Sequence, residues 1–162
     1  MILTTHAIVG GAIASLMPSH PVVAFVAGFA SHFAIDAIPH WDYPLRSIAL
    51  GTEGRNRVTM SAARLRDVAV VGLDGFVGFF LTLLIFKTEN NTAAIVAGAA
   101  GGMLPDPLQF LYTLYPREPL LTLQSFHVNI HTKRRLGRIV GIGSQFAFAA
   151  ATAVIAIVAR DY

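Results

Sequence analysis

At 162 residues the chain is one domain's worth of protein, but 54% of it is hydrophobic and 13% charged, and a mean hydropathy of +0.60 excludes an ordinary soluble domain in favour of an integral membrane protein. The formal charge of +3 does not require a nucleic-acid partner, and none is expected, because most of the basic residues flank apolar stretches where they set orientation in a bilayer. With no cysteine, disulfides, zinc ribbons and thiolate catalysis are excluded, and any metal site must be built from His, Asp or Glu.

In chain order, the apolar stretches cover residues 2–17, 21–38, 68–86, 93–114 and 137–159. Each is read as a transmembrane helix of about 20 residues, the first being short. That first stretch has no basic start and no small-residue cleavage pattern after it, so it reads as a permanent helix rather than a signal peptide. The expected fold is therefore all-α: a single transmembrane domain, residues 1–162, of about five helices.

The joints differ in kind. Pro18 to Pro21 and Lys87 to Asn91 are tight polar turns, whereas about 41–67 and 115–136 are long and charged. Arg46, Arg55, Arg57, Arg64 and Arg66 fall in the first long loop, Arg117, Lys133, Arg134, Arg135 and Arg138 in or beside the second, and only Lys87 and Arg160 on the opposite side. The positive-inside rule makes both long loops cytoplasmic, the N-terminus inside and the C-terminus outside.

Polar groups that are costly in a bilayer gather at that inner side. Ser31-His32-Phe33-Ala34-Ile35-Asp36-Ala37-Ile38-Pro39-His40-Trp41-Asp42 ends the second stretch, and His32, Asp36 and His40 stand at i, i+4 and i+8, one helix face, with Pro39 stopping or bending the helix. His6 lies near the inner end of the first stretch, Asp74 about two turns into the third and Asp106, between two prolines, at the inner end of the fourth. His127 and His131 follow in the second long loop at the i, i+4 spacing by which helical histidines share a metal. A carboxylate at the bilayer centre costs on the order of 3 kcal/mol, so Asp36, Asp74 and Asp106 together call for compensating cation charge. A divalent metal supplies it, one or two ions, with zinc ahead of manganese or iron for a mixed N/O donor set. Asp42 is a ligand, a partner orienting His40, or a polar helix end. The run Lys133-Arg134-Arg135 anchors the loop to headgroups or, through Arg134 and Arg135, holds a substrate phosphate.

A faint internal repeat accompanies this pattern. Thr5 to Gly10 aligns with Leu73 to Gly78, and Gly28 to Asp36 with Gly98 to Asp106, an aspartate closing each of the latter pair. This suggests two duplicated helical hairpins plus a fifth helix.

The Thr5-His6 start, the His32-x3-Asp36-x2-Pro39-His40-x-Asp42 block, the Leu104-Pro105-Asp106 helix end and the late His127-x3-His131 together resemble the small bacterial and archaeal proteins grouped as predicted membrane-bound metal-dependent hydrolases. More distantly, the His-x3-Asp-x3-His rhythm is similar to the zinc-dependent phospholipase C and single-strand nuclease group. The resemblance implies His6, His32, Asp36, Asp106, His127 and His131 as ligands, Asp74 as ligand or base, and a prokaryotic cytoplasmic membrane. Many relatives continue with a Pro-Asp-x-Asp-His type of sequence, whereas Asp106 here is followed by Pro107-Leu108-Gln109, so the ligand count at that end is open.

The sequence thus leads to a metal-dependent hydrolase that acts at the cytoplasmic face on a phosphoester of a lipid or lipid-linked substrate, with Asp36 and Asp74 catalytic. The alternative is a metal- or proton-coupled membrane carrier built on the same groups.

Overall fold

The computed structural model describes residues 1–45 and 61–160. Arg46, Arg55 and Arg57 of the first charged loop lie outside the described residues. Within them the protein is all-helical, without a strand: α1 (Leu3–Ser15), α2 (Pro21–Asp36), α3 (Ala62–Phe86), α4 (Thr92–Met103), α5 (Pro105–Leu114), α6 (Leu120–Ile130) and α7 (Arg138–Arg160).

The expectation of five spans meets a more uneven architecture. Among the described residues only α3 and α7, at 25 and 23 residues, are long and apolar enough to cross a membrane. The fourth apolar stretch breaks at Leu104 into α4 and α5 because Pro105 has no N–H to continue the ladder and sits instead at the first position of a new helix. The first long loop is shorter than expected, since α3 begins at Ala62 with Ser61 accepting from the Arg64 amide at 3.2 Å. The second long loop contains α6.

α1 is the central helix. Every residue from Leu3 to Ser15 except Ile13 is buried, as expected of a helix without a polar face. It packs on α2, α3, α4 and α7. Glycines set the closeness of that packing. A Cβ on Gly10 would lie 2.2 Å from the Gly98 carbonyl oxygen, one on Gly28 2.3 Å from the same atom, and one on Gly102 2.5 Å from the His6 oxygen. α1, α2 and α4 therefore touch backbone to backbone, the small-residue mode of helix association. Away from the polar end, Ile8, Ala12, Ala24, Phe86 and Ile95 form an apolar core. α3 and α7 present apolar side chains outward, with Leu84 80% and Ile139 89% exposed.

Candidate metal centre

Four helix ends meet at one end of the bundle: the start of α1, the ends of α2 and α6, and the α4–α5 break. The start of α1 is buried, so its orphan amides need partners. Each finds one on a different part of the chain. Ile2 N donates to Gln145 Oε1 of α7 at 2.9 Å, Leu3 N to the Tyr43 hydroxyl at 3.0 Å, and Thr4 N to Asp74 Oδ2 of α3 at 2.9 Å. The Met1 amino group lies 3.0 Å from Asp36 Oδ1 and 3.1 Å from Asp42 Oδ1.

Asp36 is the hub. Five imidazole Nε2 atoms surround its two oxygens: His127 at 3.0 Å, His32 at 3.2 Å, His6 at 3.3 Å, His40 at 3.8 Å and His131 at 3.9 Å. Asp106 Oδ1 closes the group, 3.5 Å from His32 Nε2. Ligating atoms of His32, Asp36, Asp106 and His127 all lie within 4.8 Å of one another, and so do those of Asp36, His40 and His131. Asp36 is common to both sets.

The far ring nitrogens show what faces Asp36. His32 Nδ1 is 2.8 Å from the Gly102 carbonyl, His40 Nδ1 2.7 Å from that of Ile38, and His131 Nδ1 3.1 Å from that of Thr132. A carbonyl only accepts, so each Nδ1 is the protonated nitrogen and a neutral ring turns its Nε2 lone pair toward the aspartates. Lone pair facing carboxylate is stable only with a cation between them, either a proton on each ring or a shared metal ion. Asp36 alone offers about four lone-pair sites, so part of this set turns to the neighbouring carboxylates, His40 Nε2 and the Met1 amino group to Asp42 at 2.8 and 3.1 Å and His32 Nε2 to Asp106 at 3.5 Å. His6 is fully buried, and neither of its ring nitrogens has a hydrogen-bond partner; His32 Nε2 also has none. These orphaned nitrogens, rings held from behind by main-chain carbonyls, and a donor set of His and Asp fit a divalent ion. The cluster could hold a metal.

The segment after α6 is strapped across the site. Thr132 N donates to the Asp36 carbonyl and Leu136 N to that of His40, each at 2.9 Å. This places His131 and Arg135 beside Asp42, whose oxygens lie 2.8 Å from His40 Nε2, 3.8 Å from His131 Nε2 and 3.7 Å from Arg135 Nε. Asp42 thus stands on the ligating side of His40, not behind its ring. Burial alone pushes the Asp42 carboxyl up, but the adjoining His40 ring, the Met1 ammonium and His131 outweigh it and hold the group below the usual carboxylate range. Burial lowers the His131 imidazole, against the pull of Asp36, which favours the neutral ligating form. Burial and the neighbouring Asp74 push the Tyr43 phenol up, so that it stays a donor.

The structure therefore brings together His6, His32, Asp36, His40, Asp42, Asp106, His127 and His131 of the residues expected from sequence. Asp74 is placed apart. It accepts from Thr4 N, from Thr4 Oγ1 at 2.7 Å and from the Tyr43 hydroxyl, so its geometry is that of a carboxylate fixing the start of α1, favoured there by the helix dipole. Asp74→Ala is expected to cost roughly 2–3 kcal/mol through lost charge-assisted hydrogen bonds while leaving metal content intact. Loss of metal with an unchanged melting temperature would return Asp74 to the ligand set. Arg135 reaches the site, but Arg134 is exposed and only its amide is engaged, with Thr132 Oγ1.

Several neutral groups were not foreseen. Gln109 Nε2 lies 3.5 Å from His127 Nδ1, behind that ring. Gln145 ties α7 to Ile2 and, through its Nε2, to the Trp41 carbonyl at 3.0 Å. Asp67 is buried, with Oδ1 3.6 Å from Arg66 Nη1. Glutamine and tyrosine near a membrane surface carry no sequence signal that separates these roles from ordinary interfacial ones. In comparisons with known proteins, no family profile, no curated protein and no solved structure matches this chain.

Proposed function

We propose that this protein is a membrane-embedded, metal-dependent hydrolase of phosphoesters carried by a lipid or amphiphile, working at the cytoplasmic face. The observation that carries the proposal is the convergence of the His32, His40 and His131 Nε2 atoms on Asp36 from rings whose Nδ1 atoms are spent on main-chain carbonyls. His32, His127, Asp106 and Asp36 would hold one ion and His40, His131 and Asp36 a second, with His6 completing the shell at Asp36; zinc is the first choice of metal. Such an ion, when bound, lowers the pKa of a water to about 7 and neutralises phosphoryl charge. The chain's own part is to position. Asp36 bridges the two ligand groups, and Arg135 and Lys133 at the rim supply cationic donors to a phosphate.

The membrane setting rests on α3 and α7, in whose most apolar windows only 17% and 22% of residues are buried, unlike core helices of a soluble protein. A bundle of five spans is part of the proposal, with α4 and α5 as one broken span and the site inside by loop charge. A carrier would need ionisable groups continuing toward the other face; beyond His6 the buried polar side chains Ser15, Thr82 and Asn91 are neutral and spent on the main-chain carbonyls of Ala12, Gly78 and Phe86, amid an apolar core of Ile8, Ala12, Ala24, Phe86 and Ile95.

The test is metal analysis followed by turnover of a panel of phospholipids and polyprenyl phosphates in inverted and right-side-out vesicles. Expected are bound dication, hydrolysis abolished by chelation and restored by metal, and activity confined to inverted vesicles. Protein free of metal under all loading conditions, or metal-loaded protein that moves ions without cleaving a phosphoester, defeats the proposal.

A further inference from the structure

Beside the cluster is a cavity of about 730 Å³, within the range of sites that take one small amphiphile. Its two ends differ chemically. On the side of the metal centre it is lined by Asp42, Asp106, His131, Lys133 and Arg135, and on the side of α3 and α5 by Val68, Val71, Gly72 and Phe110, with the Asp67 carboxylate, 3.6 Å from Arg66 Nη1, also in the α3 wall. Val68 is itself 41% exposed, so this apolar wall runs out onto the lipid-type outer face of α3, where Leu65 and Leu73 are 62% and 65% exposed. The acidic groups at the polar end already have cationic or imidazole neighbours: Asp42 has Arg135 and His131, and Asp106 has His32. Among the described residues Lys133 forms no ion pair, and Arg135 is 74% exposed. Cationic charge therefore borders the metal centre, while the opposite wall is hydrocarbon apart from Asp67, whose charge is met by Arg66.

We infer that this cavity seats a single lipid-type phosphate, its head between Arg135, Lys133 and the metal centre and its alkyl chain running along Val68, Val71 and Phe110 between α3 and α5, and that Gly72 keeps the tail channel open. The inference rests on the proposed hydrolase reading for the head and adds to it the place where the alkyl chain is held. Gly72 carries the second half of the claim: it lines the cavity, and a Cβ there would meet nothing within 4 Å. It sits in the interior of a 25-residue helix, where glycine is destabilising relative to alanine, so an open channel gives the missing side chain a purpose.

The experiment reads occupancy and not turnover. Metal-loaded protein in lipid nanodiscs is irradiated with a long-chain alkyl phosphate bearing a photoactivatable group in its tail, and labelled peptides are mapped. Expected is labelling concentrated on Val68 to Gly72 and around Phe110, competed by unlabelled alkyl phosphate at concentrations where inorganic phosphate does not compete. Gly72→Trp should reduce it about tenfold, the equivalent of roughly two methylenes no longer buried, with metal content unchanged. Gly72→Leu, less bulky, should give an intermediate loss and guards against a misfolded tryptophan variant. Labelling spread evenly over outward positions such as Leu84 and Ile139, competition by inorganic phosphate as strong as by the alkyl phosphate, or full labelling of a folded Gly72→Trp protein each overturns the inference. Absence of hydrolysis alongside labelling confined to the cavity would defeat the hydrolase reading and leave this one standing.

Discussion

Asp36→Ala is expected to strip the protein of bound metal, lowering affinity by more than the roughly 10–100-fold that follows loss of a group merely supporting a ligand. The side chain is 1% exposed and is the one carboxylate within 4 Å of all five clustered imidazoles. Its removal takes away both a negative charge and the atom pair that joins the two ligand groups. Stability reports the same event by linkage. At a thousandfold excess of metal over Kd the wild type gains about 4 kcal/mol, so chelation should lower its melting temperature by several degrees while leaving that of Asp36→Ala unmoved. Elemental analysis and thermal unfolding of the two proteins, with His20→Ala in the opposite turn as a control, check this. Undiminished metal in the Asp36 variant would take Asp36 out of the shell.

The largest effect on folding is expected from Gly98→Ala, a change of one methyl group. A Cβ at position 98 would lie 2.5 Å from the Gly10 carbonyl oxygen and 2.6 Å from the Ala14 Cβ, and main chain cannot yield as a flexible side chain does. α1 and α4 must separate, and with them His6 and the Gly102 carbonyl that holds His32. Overpacking of a rigid core costs about 1–3 kcal/mol, and here the upper end or more is expected because two helices must shift together. Gly143→Ala is the counterpart: nothing lies within 4 Å of a Cβ there, and helix propensity alone favours alanine by up to about 1 kcal/mol. Parallel thermal unfolding should therefore show opposite signs. Equal stability of Gly98→Ala and wild type would mean the helices are not in backbone contact.

Much of the site was legible because its residues are expensive where they stand. A histidine or aspartate at the end of an apolar stretch announces itself, and the spacing of His32 and Asp36 follows helix geometry. His40 reaches the same place by other means: α2 has ended at Asp36, and the chain folds back after Pro39 to put the ring beside Asp36. Asp74 shows the limit of that reasoning. Depth along a helix was inferable, but not which neighbour the carboxylate faces, and it faces Thr4 rather than Asp36. α6 was hidden because residues 120–130 mix Leu with Thr, Gln, Ser, His and Asn between charged segments, a pattern weak in either period. The α4–α5 break was foreshadowed by Pro105, yet hydropathy runs through it without a dip and makes one span of two helices.

The amide partners at the start of α1 also bear on the order in which the protein is made. Ile2 is bonded to Gln145, 143 positions away, while Thr4 waits for Asp74, 70 positions away. α1 thus cannot gain all the partners of its first turn until α7 has been synthesised. Contacts so distant in sequence form late because chain closure must precede them, and the histidines arrive on the same schedule, from position 6 to position 131. The full set of candidate ligands comes together only once the chain through His131 is docked on α1 and α2, so under the proposed function metal uptake would report that docking.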